Sequence, residues 1–425
     1  MSDGKKSGSR HSGHSRHPQN SRLFSLDVLR GFDMLLLLLI GPLTITLARG
    51  PLTGQFETKK PLTRLLEQME HCTWDGFTLW DQIMPLFLFT AGAAIPYAMA
   101  RYKGAGGSRG HWRLWFRLIR RFCLLWILGA VLQGNLLSFK ISELHIYCNP
   151  LQAIAVACLV SALLYLFFST RVQIAVTALL LLGYWALERF IHFTPSDGLG
   201  EVGGGTYIYQ HTLAEWVDRA VMTGHWIADG TQVWILPSLT FIVTAMTGVF
   251  AGTLTRNVRR HAAADEEEGE AEYPAETKVP AAHAGTFAKL LAVGAVLTAA
   301  GYAWSEIPDK TFGYCPLIKS VWTPSMTLLS SGISFLLFAF FYLITDLLKF
   351  RFGFGFLAVI GTNALLAYIF GTLNDGFFRE NIQQLFFGLE PRLGSWYPVL
   401  LVAVNFFVIY FILWALHRNG KSLRA

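Results

Sequence analysis

The chain has 425 residues, of which 53% are hydrophobic and 15% charged, and its formal net charge is +7. The apolar residues come in runs of about twenty, separated by short polar segments, which is typical of a polytopic helical membrane protein and excludes an ordinary soluble enzyme. The positive charge does not indicate a nucleic-acid partner, because the basic residues cluster in particular loops and tails, as the positive-inside rule expects.

The apolar runs predict an all-α fold, a polytopic transmembrane helical bundle with about ten spans, or eleven. The predicted spans are 24–48, 78–100, 114–135, 149–168, 172–191, 232–254, 287–305, 323–347, 355–372 and 397–416. An even number of spans places both termini on one side of the membrane. Because both termini are basic, we expect them to be cytoplasmic.

The predicted spans form one membrane core in two parts, residues 23–255 and 287–416. Residues 1–22 are rich in Ser, Gly, His and Arg, which predicts a disordered basic cytoplasmic tail. Residues 256–286 carry a charge run with Pro and Ala and are predicted to be a disordered cytoplasmic linker, and residues 417–425 a short cytoplasmic tail. The first apolar run contains charges and no A-x-A site, so we expect a retained span and not a cleaved signal peptide.

Charged residues lie inside the first predicted span. Asp27, Arg30 and Asp33 follow one another at three-residue spacing, so they share one helical face. Charges inside a span are costly and indicate function. Two interpretations are open: a structural ion-pair ladder, or an Arg30 whose planar fork meets a phosphate or carboxylate on the cytoplasmic side. Both predict that Arg30 does not tolerate replacement by Lys.

A histidine precedes the second predicted span. His71 is followed by a Trp-Asp-Gly turn, and Asp81 lies one turn into the next apolar helix. An acidic group at that position needs a partner within the bundle, and orienting a histidine is one such partnership. His71 is therefore a candidate general base or nucleophile at the outer membrane surface. The alternative is a loop histidine without a chemical task.

A basic cluster follows the second span and continues into the third. The cluster is suited to anionic lipid or to a phosphorylated cofactor. Its members are Arg101, Lys103, Arg109, Arg113, Arg117, Arg120 and Arg121.

Polar residues recur where their surroundings are apolar in the eighth and ninth predicted spans. They are Lys319, Trp322, Asp346 and Asn363. Each one alone fits a helix-packing group, and together they define a polar path through the bundle. The five cysteines show neither CxxC spacing nor clustering with histidine, so we predict no disulfide framework and no metal site.

Several blocks resemble the transmembrane acyltransferase family that includes heparan-alpha-glucosaminide N-acetyltransferase and its bacterial relatives. The most specific blocks are RLFSLDVLRGFDM, HCTWDGFTLWDQIMPLFLFTAGAAIPYAM, LIKSVWTPSMTLLSSGISF and IGTNALLAY. The resemblance covers most of residues 22–416. Two departures are IGPLTITL, where relatives usually carry Asn or Asp after the glycine, and Ile318, where they often carry Asn.

The resemblance implies a function and a set of roles. In that family a histidine before a Trp-Asn/Asp/Glu-Gly turn is implicated in acetyl transfer, and it matches His71. The family uses acetyl-CoA from the cytosolic face, and a glucosamine amine accepts the acetyl group on the far side. We therefore expect an acetyl-CoA-dependent acyltransferase of a bacterial inner membrane that acts on an amino sugar or glycan at the outer face.

The expected site residues fall into three groups. Those expected to be catalytic are His71 and Asp81; those expected to bind the acceptor are Trp74, Asp75, Lys319, Trp322 and Asn363; and those expected to bind acetyl-CoA are Arg30, Asp27 and Arg113. Membrane lipid is a further expected partner, and a homodimer stays open. The alternatives are a proton-coupled transporter or flippase for a sugar-linked or lipid-linked substrate, and a membrane scaffold.

Overall fold

The fold is helical throughout the part of the chain that the structure describes. In the computed structural model the described residues are 23–103, 111–133, 140, 144–195, 202–222, 232–267, 275–309, 311–373 and 379–421. Within these ranges the only β-structure is one isolated bridge between Phe193 and Val202. The predicted all-α class is confirmed, and the predicted tail at residues 1–22 lies outside the described residues.

Eighteen α-helices are described. They are α1 Phe24–Leu35, α2 Gly41–Arg49, α3 Thr53–Thr58, α4 Lys60–Gln68, α5 Ile83–Ala93, α6 Ile95–Met99, α7 His111–Gln133, α8 Pro150–Phe167, α9 Thr170–Phe190, α10 Leu213–Val221, α11 Ser238–Glu267, α12 Ala275–Ser305, α13 Pro324–Tyr342, α14 Phe354–Thr362, α15 Ala364–Thr372, α16 Arg379–Phe386, α17 Glu390–Leu393 and α18 Tyr397–Arg418. Short π-helical turns at Leu36–Ile40 and Leu343–Leu347 extend α1 into α2 and continue α13.

Eight helical segments in the described ranges are long and apolar enough to cross a membrane, so the chain is a multi-pass helical membrane protein. The helices α14 and α15 are long and apolar enough only as a pair, which is bent by 78° at Asn363, as in a broken span or a re-entrant loop. The count is below the predicted ten because α7, although 23 residues long, has four arginines and is not among the apolar segments. Each of the ten predicted spans nevertheless corresponds to a helix or to this broken pair.

Contacts between helix ends define the two ends of the bundle. At the end where α1 begins, the Ser25 amide donates to Asp346 Oδ2 at 3.2 Å. At the end where α5 begins, the Tyr184 hydroxyl donates to the Val321 carbonyl at 2.6 Å. We name these two ends of the bundle the α1 end and the α5 end.

The predicted disordered linker at 256–286 differs from the structure. Helix α11 continues to Glu267 and α12 begins at Ala275, so the described parts of this segment are helical. Residues 268–274 lie outside the described residues. The helices extend because the segment is rich in Ala and Glu, which are strong helix formers.

Close contact between α1 and α14 positions the first span. A Cβ atom at Gly31 would overlap the backbone carbonyl of Leu357, and a Cβ atom at Gly361 would overlap that of Asp27. Two glycines thus let the helix backbones approach closely, as small residues do in membrane bundles. This contact places the polar start of α1 beside α14.

Gly361→Ala is therefore expected to destabilise the protein by about 1–3 kcal/mol, because the added methyl group must push two backbones apart. The measurement is the midpoint of thermal unfolding in detergent. Gly355→Ala is the matched control in the same helix, since a Cβ atom there meets nothing within 4 Å. Equal midpoints for the two variants would contradict the close contact.

Candidate active site

His71 and Asp81 form a hydrogen-bonded pair at the α5 end. His71 Nδ1 lies 2.6 Å from Asp81 Oδ1. The imidazole side chain is 53% exposed, whereas the carboxylate side chain is 1% exposed. A buried carboxylate therefore orients a histidine that still faces the outside of the protein.

The local chain fixes the Asp81 carboxylate. Its Oδ2 accepts the backbone N–H groups of Thr78 at 3.2 Å and Cys72 at 3.3 Å, and the Thr78 hydroxyl lies 2.9 Å from the same oxygen. Asp81 lies in the 3₁₀ turn Trp80–Gln82, which leads directly into α5. Since an ionised carboxylate only accepts hydrogen bonds, Nδ1 of His71 is the donor, and in the neutral imidazole Nε2 then carries the lone pair.

The Trp-Asp-Gly turn is clamped to the segment that precedes α13. Asp75 Oδ1 accepts the Leu317 amide at 3.1 Å, and the Gly76 amide donates to the Leu317 carbonyl at 2.8 Å. Gly76 has a positive φ of 136°, which side chains rarely adopt. Asp75, predicted to bind the acceptor, thus also holds this turn in place.

Two predicted acceptor residues are engaged in packing. Trp322 is completely buried and has a positive φ of 55°; its ring lies edge-on to Phe241 with ring centroids 4.8 Å apart. In this conformation Trp322 offers no surface to an acceptor, in contrast to the prediction. The Trp74 indole N–H donates to the Tyr207 carbonyl at 2.8 Å, and its half-buried ring meets Tyr209 edge-on at 5.1 Å.

Lys319 belongs to the same end of the bundle. It lies close enough to Asp81 for the two opposite charges to interact. Burial lowers the pKa of Lys319, and the charge of Asp81 opposes that shift. Asn363 lies elsewhere, fully buried at the break between α14 and α15, so the structure does not bring it to the His71 pair.

A cavity of about 310 Å³ opens near the α1 end. Asp27 and Arg30 line it, together with Arg121 of α7. Arg30 Nη2 donates to the Thr90 carbonyl at 2.7 Å. The predicted Arg113 has an exposed side chain and is not among the cavity residues; Arg121, about two turns onward in the same basic cluster, takes that position.

Asp33 does not join an ion-pair ladder. Its side chain is completely buried, and neither carboxylate oxygen accepts a hydrogen bond from any residue that the structure describes. It is also not among the cavity-lining residues. The three-residue spacing therefore brings Asp27 and Arg30 to one cavity and leaves Asp33 in the helix packing.

The two sites share one span. Thr90, which holds Arg30, lies nine residues after Asp81, or roughly 13 Å along a helix axis at 1.5 Å per residue. Between them, the Gln82 amide group donates to the Ser334 hydroxyl at 2.8 Å and to the Ser330 carbonyl at 3.1 Å. These residues were not predicted from the sequence, although a glutamine in an apolar run and the closely spaced serines of α13 signal a polar contact.

Potential metal ligands do not cluster in the described ranges. Within them, no group of three or more His, Cys, Asp or Glu side chains is placed to hold a metal ion. All five cysteines are free thiols. Cys315 is buried, and its pKa is raised to about 11 by that burial, so it is held as a thiol and packs against Ser325 at 3.5 Å.

The first part of the chain matches a known protein family. A family model described as a domain of unknown function, DUF5009, matches residues 22–190. The match covers α1 to α9 and therefore both His71 with Asp81 and the two cavity arginines, but less than half of the chain. No curated protein matches the sequence.

Proposed function

We propose that this protein is an integral-membrane acyltransferase that moves an acetyl group from acetyl-CoA at the α1 end to an amino sugar or glycan at the α5 end. The observation that carries the proposal is the 2.6 Å contact between exposed His71 and buried Asp81. The sequence resemblance to transmembrane N-acetyltransferases supports it. The proposal includes a bacterial inner membrane with both termini in the cytoplasm.

As a general base, His71 would act through Nε2. It would take the proton from the acceptor amine or hydroxyl as that group attacks the thioester carbonyl. The carbon–sulfur bond then breaks, the CoA thiolate leaves, and the proton passes from the imidazolium to the thiolate. Asp81 stabilises the imidazolium through the Nδ1–H bond and holds the ring in the required orientation.

As a nucleophile, His71 would carry the acetyl group itself. Nε2 would attack the thioester carbonyl, the CoA thiolate would leave, and the acceptor would then attack the acetyl-imidazole. The proton lost by the acceptor again ends on the CoA thiol. Both routes need the same contact between His71 and Asp81.

The α1-end cavity would hold acetyl-CoA. Arg30 and Arg121 both line it, and a guanidinium group binds phosphate oxygens in a bidentate manner. The distance of roughly 13 Å between Thr90 and Asp81 suits an elongated co-substrate, whose flexible arm separates the phosphates from the thioester. The phosphates would then lie at the arginines and the thioester would point toward His71.

The test is transfer of labelled acetyl from acetyl-CoA to a panel of amino sugars and glycans by purified protein in liposomes. Transfer to one class of acceptor is the expected result. Proton-coupled uptake of a sugar-linked or lipid-linked substrate, without acyl-CoA and without acetyl transfer, would contradict the acyltransferase proposal. It would show that the protein is a transporter. The absence of both acetyl transfer and uptake would favour the membrane scaffold.

Asp81→Asn is expected to reduce transfer by at least about 100-fold, because the amide no longer stabilises an imidazolium at His71. Initial rates in liposomes measure the effect, beside the thermal midpoint as a folding check. Glu70→Gln is the control, since it removes a neighbouring carboxylate whose ion pair with Arg49 is exposed and worth little. If both variants lose activity equally, the carboxylate of Asp81 has no special role.

A further inference from the structure

We propose that the α1 end carries a binding site for the phosphate headgroup of an anionic phospholipid. Four basic side chains form it, and they are Arg101, Lys103, Arg117 and Arg256. They come from the end of the second span, from α7 and from α11. This inference does not rest on acyl transfer and concerns a ligand other than acetyl-CoA.

Three of these cations make cation–π contacts with two tyrosine rings. The Arg101 guanidinium lies 4.9 Å from the centre of the Tyr102 ring, and the Arg117 guanidinium lies 5.6 Å from it. Lys103 Nζ lies 4.2 Å above the ring of Tyr165 in α8. Cation–π contacts orient these groups and leave their N–H donors available to an anion.

No described acidic side chain pairs with the cluster in the part of the chain that the structure describes. None of Arg101, Lys103, Arg117 and Arg256 forms an ion pair there. Partial burial lowers the pKa of Lys103, and the neighbouring Arg256 charge lowers it further. An anion between Lys103 and Arg256 would remove this repulsion and stabilise both charged forms.

Exposed aromatic side chains beside the cluster favour a lipid as the source of the phosphate. Trp112, Trp115 and Phe116 in the first turns of α7 are exposed. Trp115 stacks on exposed Phe167, with ring centroids 6.2 Å apart. Aromatic rings beside cations at the end of a span are typical of the membrane interface. Acyl chains would lie along these rings while the phosphate lies on the cations.

The position separates this site from the proposed acetyl-CoA cavity. Arg101, Lys103, Arg117 and Arg256 are not among the residues that line that cavity, whereas Arg30 and Arg121 are. Arg117 lies one helical turn before Arg121 on α7. A bound lipid would therefore lie beside the cavity, about one helical turn from Arg121.

The experiment measures lipid retention by the purified full-length protein. Wild type is placed in nanodiscs of phosphatidylglycerol mixed with phosphatidylcholine, and co-purifying phosphatidylglycerol is counted by native mass spectrometry after transfer to detergent. The double variant Lys103→Gln/Arg256→Gln is expected to retain at least about tenfold less than wild type, since each basic group near the surface contributes to anionic-lipid binding. Arg171→Gln is the control, because it removes one exposed charge at the α1 end outside the cluster.

Two outcomes would overturn the proposal. One is equal phosphatidylglycerol retention by wild type and the double variant. The other is displacement of the lipid by micromolar adenosine 3′,5′-bisphosphate, together with equal binding of that nucleotide in pure phosphatidylcholine. This result would show that the cations bind a nucleotide phosphate. If the double variant fails to fold, Arg117→Gln replaces it. The assay needs no acetyl transfer, so its failure is distinct from a failure of the proposed function.

Discussion

His71→Ala is expected to abolish acetyl transfer while the protein still inserts and folds. The variant removes the imidazole that Asp81 Oδ1 orients at 2.6 Å. Loss of a general base costs about 10²–10⁴-fold in rate, and loss of a nucleophile stops the covalent route altogether. Folding is spared because the imidazole side chain is 53% exposed. The measurement is the initial rate of labelled acetyl transfer in liposomes.

A second histidine at the same end of the bundle serves as the control. His192 is exposed, and its ring contacts only the Phe190 carbonyl at 3.2 Å among the described hydrogen bonds. His192→Ala is expected to transfer acetyl at the wild-type rate. Normal transfer by His71→Ala would remove His71 from the reaction and with it the central argument for an acyltransferase.

Wild type and His71→Ala together also separate the two chemical routes. Incubation with labelled acetyl-CoA and no acceptor would label the wild-type protein at His71 if the imidazole is the nucleophile, because acetyl-imidazole then accumulates. A general base leaves the protein unlabelled although transfer to an acceptor proceeds. His71→Ala sets the background for both cases.

The sequence predicted the helices well because apolar run length depends on local composition. It also predicted that Asp81 needs a partner, and His71, ten residues earlier, is the residue that the structure places there. Local signals did not predict the break of the ninth span at Asn363, where the helix axis turns by 78°, nor that α7 falls outside the apolar spans. In α7, all four arginines lie within the first eleven residues, and these charges keep the helix below the apolar content of the other spans.

The less predictable features depend on segments that are distant in the chain. Trp322 was expected to bind the acceptor at the mouth of a span, but its side chain is completely buried and its ring packs against Phe241, which comes from a distant segment. Arg121 was one member of a basic cluster, and helical periodicity alone did not show which member reaches the cavity beside Arg30. Helical spacing defines the faces of a helix, whereas the packing of other helices decides which face meets a site.

Arg121→Gln is expected to weaken acetyl-CoA binding by at least about tenfold without a large loss of stability. A charge-assisted hydrogen bond to phosphate contributes about 1.5–3 kcal/mol, which corresponds to a factor of about 10 or more in Kd. Arg121 lines the cavity, and its Nε makes no hydrogen bond to a described residue, so the substitution removes no hydrogen bond of Nε within the described protein. The measurement is equilibrium binding of labelled acetyl-CoA to the purified protein.

Arg30 should respond differently from Arg121. Arg30 joins α1 to α5 through its 2.7 Å bond to the Thr90 carbonyl, so Arg30→Lys is expected to lower both the affinity for acetyl-CoA and the thermal midpoint. Lysine keeps the charge but lacks the planar fork that can donate to Thr90 and to a phosphate together. Unchanged affinity in Arg30→Lys and Arg121→Gln would remove the co-substrate from this cavity.

Arg113→Gln decides between the residue that the sequence favoured and the one that the structure places in the cavity. Arg113 lies on the same helix as Arg121, carries the same charge and has an exposed side chain outside the cavity. We therefore expect its variant to bind acetyl-CoA like wild type. A roughly tenfold loss of acetyl-CoA affinity for Arg113→Gln, with no loss for Arg121→Gln, would place the phosphates at the surface of α7. The acetyl group would then have to reach His71 by a path other than this cavity.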